Sequence, residues 1–136
     1  DRIPRIGIGY AVSRDGVTWR KPLNDLMVAP RGFGADPYEY INSKPFVLRD
    51  GDGWRLFIST FGTAYRIRSL VSDDGLHWTR VPSGPDGDLG VGAPGAFDSH
   101  QRSYASVIKN GDEYRLWYTG NGFGARGMGY CVADLG

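Results

Sequence analysis

YINSKPFVLRDGDGWRLFISTFGTAYRI, residues 40–67, lies without a gap on HQRSYASVIKNGDEYRLWYTGNGFGARG, residues 100–127. At this offset Ser43 falls on Ser103, Val47 on Val107, and Gly51-Asp52 on Gly111-Asp112. Arg55-Leu56 falls on Arg115-Leu116, Gly62 on Gly122 and Arg66 on Arg126. Leu48/Ile108, Trp54/Tyr114, Phe57/Trp117 and Ser59/Thr119 are conservative matches between them. A second comparison lays IGYAVSRDGVTWR (8–20) on IRSLVSDDGLHWT (67–79). Both carry S-x-D-G-x-x-W, as Ser13, Asp15, Gly16, Trp19 and as Ser72, Asp74, Gly75, Trp78. MGYCVADLG (128–136) begins a third copy and stops before its Trp. Self-similarity at such a period marks a repeat architecture, in which each unit buries its apolar faces against its neighbours.

Each repeat reads as four strands. The first is 44–50 or 104–110, the second 54–60 or 114–120, the third 65–72, 125–133 or 6–13, and the fourth 76–81 or 17–21. β-Branched and aromatic enrichment supports strands, and the Asp-Gly pairs support hairpins. No apolar pattern of period 3.6 is sustained, so no substantial helix is expected. Four-stranded antiparallel units at this spacing are β-propeller blades. The fold class is therefore all-β, and 1–136 reads as a partial propeller of about two and a half blades. Residues 1–21 end one blade, 40–81 form a complete one, and 100–136 an incomplete last one. That gives two, four and three strands, about nine in all, too few to close a ring. The bare faces of a half-ring invite association. Either further sequence completes the propeller or two copies assemble as a homodimer; two would bring roughly eighteen strands, near the twenty of a five-bladed ring.

Lys and Arg number 16 against 15 Asp and Glu, a net charge of +1. Nucleic-acid and membrane-surface partners, which call for a basic excess, are not expected. No apolar run approaches the roughly 18 residues of a spanning helix. The first residue is Asp1 and no signal peptide is visible, which reads as a processed or excised chain, with the cytoplasm favoured. Cys131 is the single cysteine, so no internal disulfide forms, and its strand-like context suits a small buried hydrophobe.

Antiparallel order decides which loops share a rim. The start of strand one and the loop between strands two and three lie together on a front rim, which collects 22–43, 60–65, 81–103 and 119–126. The tight turns 50–53, 110–113, 14–16 and 73–75 lie on the back. Long loops on a rigid scaffold are where function concentrates. The front loops hold Arg31, Asp36, Tyr38, Glu39, Tyr40, Asn42, Asp86, Asp88, Asp98, His100, Arg102, Asn121 and Arg126. Glu39 and Asp98 each precede an innermost strand, so both are expected to reach one central funnel. The S-x-D-G-x-x-W motif sits on the back rim and reads as turn chemistry. Arg55 and Arg115 read as scaffold. No cluster has zinc-ligand spacing and no glycine-rich segment precedes a helix, so neither metal nor cofactor is expected.

The blade pattern, KPFVL then GWRLFIS then IRSLVSDDGLHW, resembles the five-bladed propeller glycoside hydrolases, the arabinanase, β-xylosidase and invertase-like enzymes. The tail FDSHQRSYASVIKNGDEYRLWYTGNGFGARGMGYCVAD more closely resembles the last blade of a branch of that superfamily associated with polysaccharides. The resemblance implies a glycan-directed propeller with an oligo- or polysaccharide partner. It implies two carboxylates flanking a glycosidic bond, about 5–5.5 Å apart for retention or 6.5–9.5 Å for inversion. The family's first-blade Asp has no counterpart here. Its acid commonly stands two residues before a Pro, where this chain has Ser43 before Pro45, and the nearest Glu is Glu39. Glu39 and Asp98 are thus the catalytic candidates. Arg102, His100, Asn121 and Arg126 would bond hydroxyls, and Tyr38 and Tyr40 would offer stacking faces. A propeller that binds or scaffolds glycan without catalysis is the alternative.

Overall fold

The computed structural model describes residues 4–32 and 39–133. Seven strands form in chain order: β1 Ile41–Asp50, β2 Gly53–Phe61, β3 Tyr65–Ser72, β4 Thr79–Arg80, β5 Ser103–Asn110, β6 Glu113–Thr119 and β7 Met128–Ala133. They make two antiparallel sheets, β1-β2-β3-β4 and β5-β6-β7. No helix forms among the described residues. The chain is a partial β-propeller, as the repeat requires.

The N-terminal segment is less regular than its repeat partner. Instead of two strands, it makes isolated bridges, Ile8 with Val28 and Val12 with Arg20. β4 likewise shrinks to two residues. β3 pairs with β2 along its whole length, whereas among the described residues 6–13 has no such neighbouring strand. The short fourth strand has a local cause, since the S-x-D-G-x-x-W segment bends its own backbone around side-chain oxygens. Ser13 Oγ accepts from the amides of Asp15 and Gly16 at 3.2 and 2.8 Å, and Asp15 Oδ1 accepts from Val17 and Thr18 at 2.9 and 2.8 Å. Ser72 and Asp74 repeat this on Gly75, Leu76 and His77 at 2.9, 2.8 and 2.8 Å. The motif is a turn, and the backbone amides hold both aspartates well below the usual carboxylate range.

The repeat extends to backbone irregularity. β1 slips register between Ser43 and Phe46, and β5 between Ser103 and Ser106. Lys44 and Tyr104, equivalent positions, both take positive φ, 50° and 61°. A bulge at the front end of each innermost strand bends it where the rim begins.

Alternation along β2 sends side chains to both faces of the complete blade. Leu56 and Ile58, with Leu70 of β3, pack on Ile8 and Val28 of the N-terminal segment. Phe57 and Ile67 pack on Ala105, Val107, Tyr114, Leu116 and Tyr118 of the last blade. Each such buried side chain contributes about 2 kcal/mol. Cys131 lies at the edge of this second core, and burial raises its thiol. The outer face of the last blade is uncovered. Trp117, the repeat partner of the 1% exposed Phe57, is 36% exposed, and Tyr130 beside it 52%.

The back end of the junction between the two blades is closed by charge. Asp50 at the end of β1 accepts from Arg55 Nε at 2.7 Å, from the Tyr114 hydroxyl at 2.5 Å and from Lys109. Lys109 and Tyr114 belong to the next blade. Burial pushes the Asp50 carboxyl up, but Lys109, Tyr114 and Arg55 together pull it well below the usual range. A carboxylate whose folded pKa is depressed stabilises above its unfolded value and loses that stabilisation as pH falls through the folded one. Asp50→Asn is expected to lower the unfolding free energy by about 2 kcal/mol at neutral pH, measured by urea denaturation. The gap between variant and parent should narrow as the pH is taken from about 6 down to about 2.

Candidate functional site

The pairs Ile41–Phe61, Phe61–Tyr65, Ser103–Thr119 and Thr119–Met128 bring the strand ends of both blades to one rim. The front loops meet there, and Glu39 and Asp98 are both buried at their bases.

Glu39 is fully buried. Both of its oxygens accept from Arg80 of β4, Nε lying 3.0 and 2.9 Å away, and Arg31 stands 3.8 Å off. Arg80 also donates to Ala29 O at 3.0 Å. Arg80 pairs with Leu70, so this ion pair sits on the side of the first core. Glu39 borders a cavity of about 270 Å³ that it shares with Arg31, Arg68 and Arg80.

Asp98 sits on the other side. Its Oδ2 accepts from the Tyr118 hydroxyl at 2.6 Å and from Arg102 Nε at 2.8 Å, and Arg102 also donates to Leu89 O at 2.7 Å. Burial pushes the carboxyl up, but Tyr118 and Arg102 more than offset this and hold it below the usual range. Burial, with the Asp98 bond second, pushes the Tyr118 phenol up to about 12. Two glycines clear the space for this pair. A Cβ on Gly92 would collide with Asp98 Oδ1, and one on Gly129 with Tyr118 Cζ.

The structure therefore does not bring the two acids onto shared partners or a shared cavity. Glu39 closes the front of one interblade core and Asp98 the front of the other.

A second cavity, of about 330 Å³, opens between loop 95–100 and the turn 120–127. Phe97, Ser99, His100, Asn121 and Arg126 line it. Asn121 frames the cavity. Its Oδ1 accepts from the amides of His100 and Gln101 at 2.9 and 3.0 Å, and its Nδ2 donates to Ala96 O and Ser99 Oγ, both at 3.3 Å. That uses the amide's donors and acceptor on the protein. His100 and Arg126 have exposed side chains.

Tyr40 is buried, edge-on to Phe61, with its hydroxyl on Gly62 O. It presents no face for stacking, which corrects the sequence expectation; Tyr38 and Asp36 lie outside the described residues. Among the described residues of this rim, the exposed ring is Phe123, 60% exposed. It stacks on Tyr104 with centroids 6.1 Å apart and meets Tyr65 edge-on at 5.6 Å. Sequence reading missed Phe123, Arg80 and Tyr118. The GNGFGARG run signalled the first, since an aromatic flanked by glycines in a rim turn is unusual; the other two lie within strands and carried no local signal.

No family model matches the sequence. Uncharacterized protein Rv1502 of Mycobacterium tuberculosis (strain ATCC 25618 / H37Rv) is 34% identical over 134 residues, covering 98% of this chain. Uncharacterized protein MT1551 of strain CDC 1551 / Oshkosh matches to the same extent. The chain spans 42% of the length of these curated relatives. Among solved structures, Zg3597, a family 117 glycoside hydrolase from the marine bacterium Zobellia galactanivorans, superposes with a TM-score of 0.77 at 22% identity, over 93% of this chain and 37% of that one. Over the matched part, the chain shares the β-propeller fold of that enzyme. The Bombyx mori GH32 beta-fructofuranosidase BmSUC1 in complex with sucrose gives 0.64 at 18% identity, over 93% and 27%. BT0996, in its RGII complex, gives 0.66 at 20%, over 92% and 34%.

Asp98→Asn is expected to bring the Tyr118 phenol down from about 12 toward, but not to, the ordinary value of about 10, because burial remains. Gly92→Ala should move it in the same direction by displacing the Asp98 carboxylate. NMR titration of ring-labelled tyrosine reads both.

Proposed function

We propose that this chain is the glycan-recognising part of a propeller of the glycoside hydrolase type, with sugar bound at the front rim beside the cavity of His100, Ser99 and Arg126. The observation that carries this reading is the turn 120–127. It presents an exposed aromatic face, Phe123, and an exposed guanidinium, Arg126, on one short, internally bonded loop. Sugars are bound by flat apolar faces beside planar polar groups, and a turn ordered beforehand loses little entropy on binding. The sucrose complex of the Bombyx mori enzyme and the RGII complex of BT0996 show that proteins of this fold engage saccharides. In this reading Asn121 and Arg102 position the cavity from behind, Asn121 through its loop bonds and Arg102 through Asp98 and Leu89.

Hydrolysis is a second reading. It is favoured by the Asp98 carboxyl, held in the charged form that a base or nucleophile requires. Glu39, buried and held by Arg80 on the other side of the complete blade, is not placed to act with it, so this reading takes its acid from another carboxyl. Under this reading Asp98→Asn removes hydrolysis of an oligosaccharide panel, whereas under pure recognition the parent protein releases no product. Trp117 occupies the place that Phe57 fills at a covered junction, so a further blade, from a longer chain or from a second copy, is part of the proposal. Light scattering giving twice the chain mass, reduced by Trp117→Ser, supports the second copy; the single chain mass overturns the second copy and leaves a longer chain as the source of the blade.

For recognition itself, Phe123→Ala is expected to weaken saccharide binding about tenfold by loss of one stacking face, with only a small fall in the unfolding midpoint from its lost contacts with Tyr65 and Tyr104. Isothermal titration with hits from a glycan array measures it.

A further inference from the structure

We propose that the sugar taken by the cavity between loop 95–100 and the turn 120–127 carries a carboxylate, as a uronic acid does. The inference rests on the glycan reading above and names the class of sugar. Among the residues lining the cavity, two side chains can present N–H donors of imidazole or guanidinium type, His100 and Arg126, and none is an acid. Arg126 enters no ion pair with a described residue; its backbone amide alone is used, donating to Asn121 O. The other arginines of this region are committed. Arg66 donates to His100 O at 2.7 Å and to Asp86 at 3.2 Å, and Arg102 is held by Asp98. Asp98, though adjacent in sequence to Ser99, turns its carboxylate away to Tyr118 and so does not cancel the charge of Arg126.

The cavity holds the backbone of its donors in a fixed arrangement. Asn121 ties the backbone at His100 to the turn that carries Arg126, so the two side chains spring from positions set before any ligand arrives. Ser99 Oγ accepts from Asn121, which leaves its hydroxyl hydrogen free to donate. A planar guanidinium with five donors matches a carboxylate in two parallel bonds. A neutral hydroxyl can accept from only part of that fork. An acidic sugar therefore gains a charge-assisted contact that its neutral counterpart lacks, worth roughly tenfold or more in affinity.

The test compares oligogalacturonate and oligoglucuronate with their methyl esters, which keep the skeleton and remove the charge, and with a sulfated oligosaccharide. The full chain is titrated with each by NMR and calorimetry. The expected result is at least tenfold tighter binding of an acid than of its ester, a difference abolished by Arg126→Gln and reduced by His100→Gln, with Phe123→Ala weakening acid and ester alike. Equal binding of acid and ester overturns this inference and leaves the glycan reading standing. Binding of the sulfated sugar in preference to both acids also overturns it. Failure of every saccharide, neutral ones included, overturns the glycan reading and this inference with it. A chemical-shift map confined to residues outside 95–100 and 120–127 would overturn the placement.

Discussion

Leu56 and Phe57 point to opposite faces of one strand, and both are buried. That requirement, a blade apolar on both sides, governs the rest of the structure. A single four-stranded sheet cannot satisfy it, because one face at least would meet water. The N-terminal segment covers Leu56, Ile58 and Leu70, and the last blade covers Phe57 and Ile67. The same pattern continued onto the last blade leaves Trp117 and Tyr130 facing outward. Propeller stacking follows from this alternation.

Apolar contact is not directional, so something else must fix how one blade meets the next. Buried charge does this at the back of the junction between the complete and the last blade, where Asp50 joins β1 to Lys109 and Tyr114. At the front, Asp98 ties the loop before β5 to Tyr118 and Glu39 ties the loop before β1 to Arg80, each within its own blade. Each carboxylate is satisfied by more than one donor, as burial of an ion demands. The bond from the Tyr104 amide to Ser59 Oγ, at 2.8 Å, spans the same junction at the bulge. The two acids that a motif reader would pair as catalysts thus have a structural task in common, on separate sides of the complete blade.

Relief from that task falls to the turn 120–127. Gly122, Phe123 and Gly124 all have positive φ, and the turn closes on itself through bonds from Gly124, Ala125, Arg126 and Gly127. A turn of this kind needs no core of its own, so its side chains are left outward. Phe123 and Arg126 are exposed for that reason, while the strand residues on either side are consumed by packing.

The blades were legible in the chain alone. Equivalent turn residues, Gly51 with Gly111 and Ser72-Asp74 with Ser13-Asp15, state the period, and local backbone chemistry enforces it. The third strand of the complete blade matches its sequence bounds, and the bulges at Lys44 and Tyr104 fall at equivalent positions. Which side chains become partners was settled only on folding. Nothing near Glu39 in the chain announces Arg80, 41 positions away, and nothing near Asp98 announces Tyr118, 20 positions away. Tyr40 and Phe123 are both rim aromatics in sequence, yet one is buried and one exposed. The reason is that a strand's alternation is a local property, whereas the burial of a loop side chain depends on what another blade brings against it.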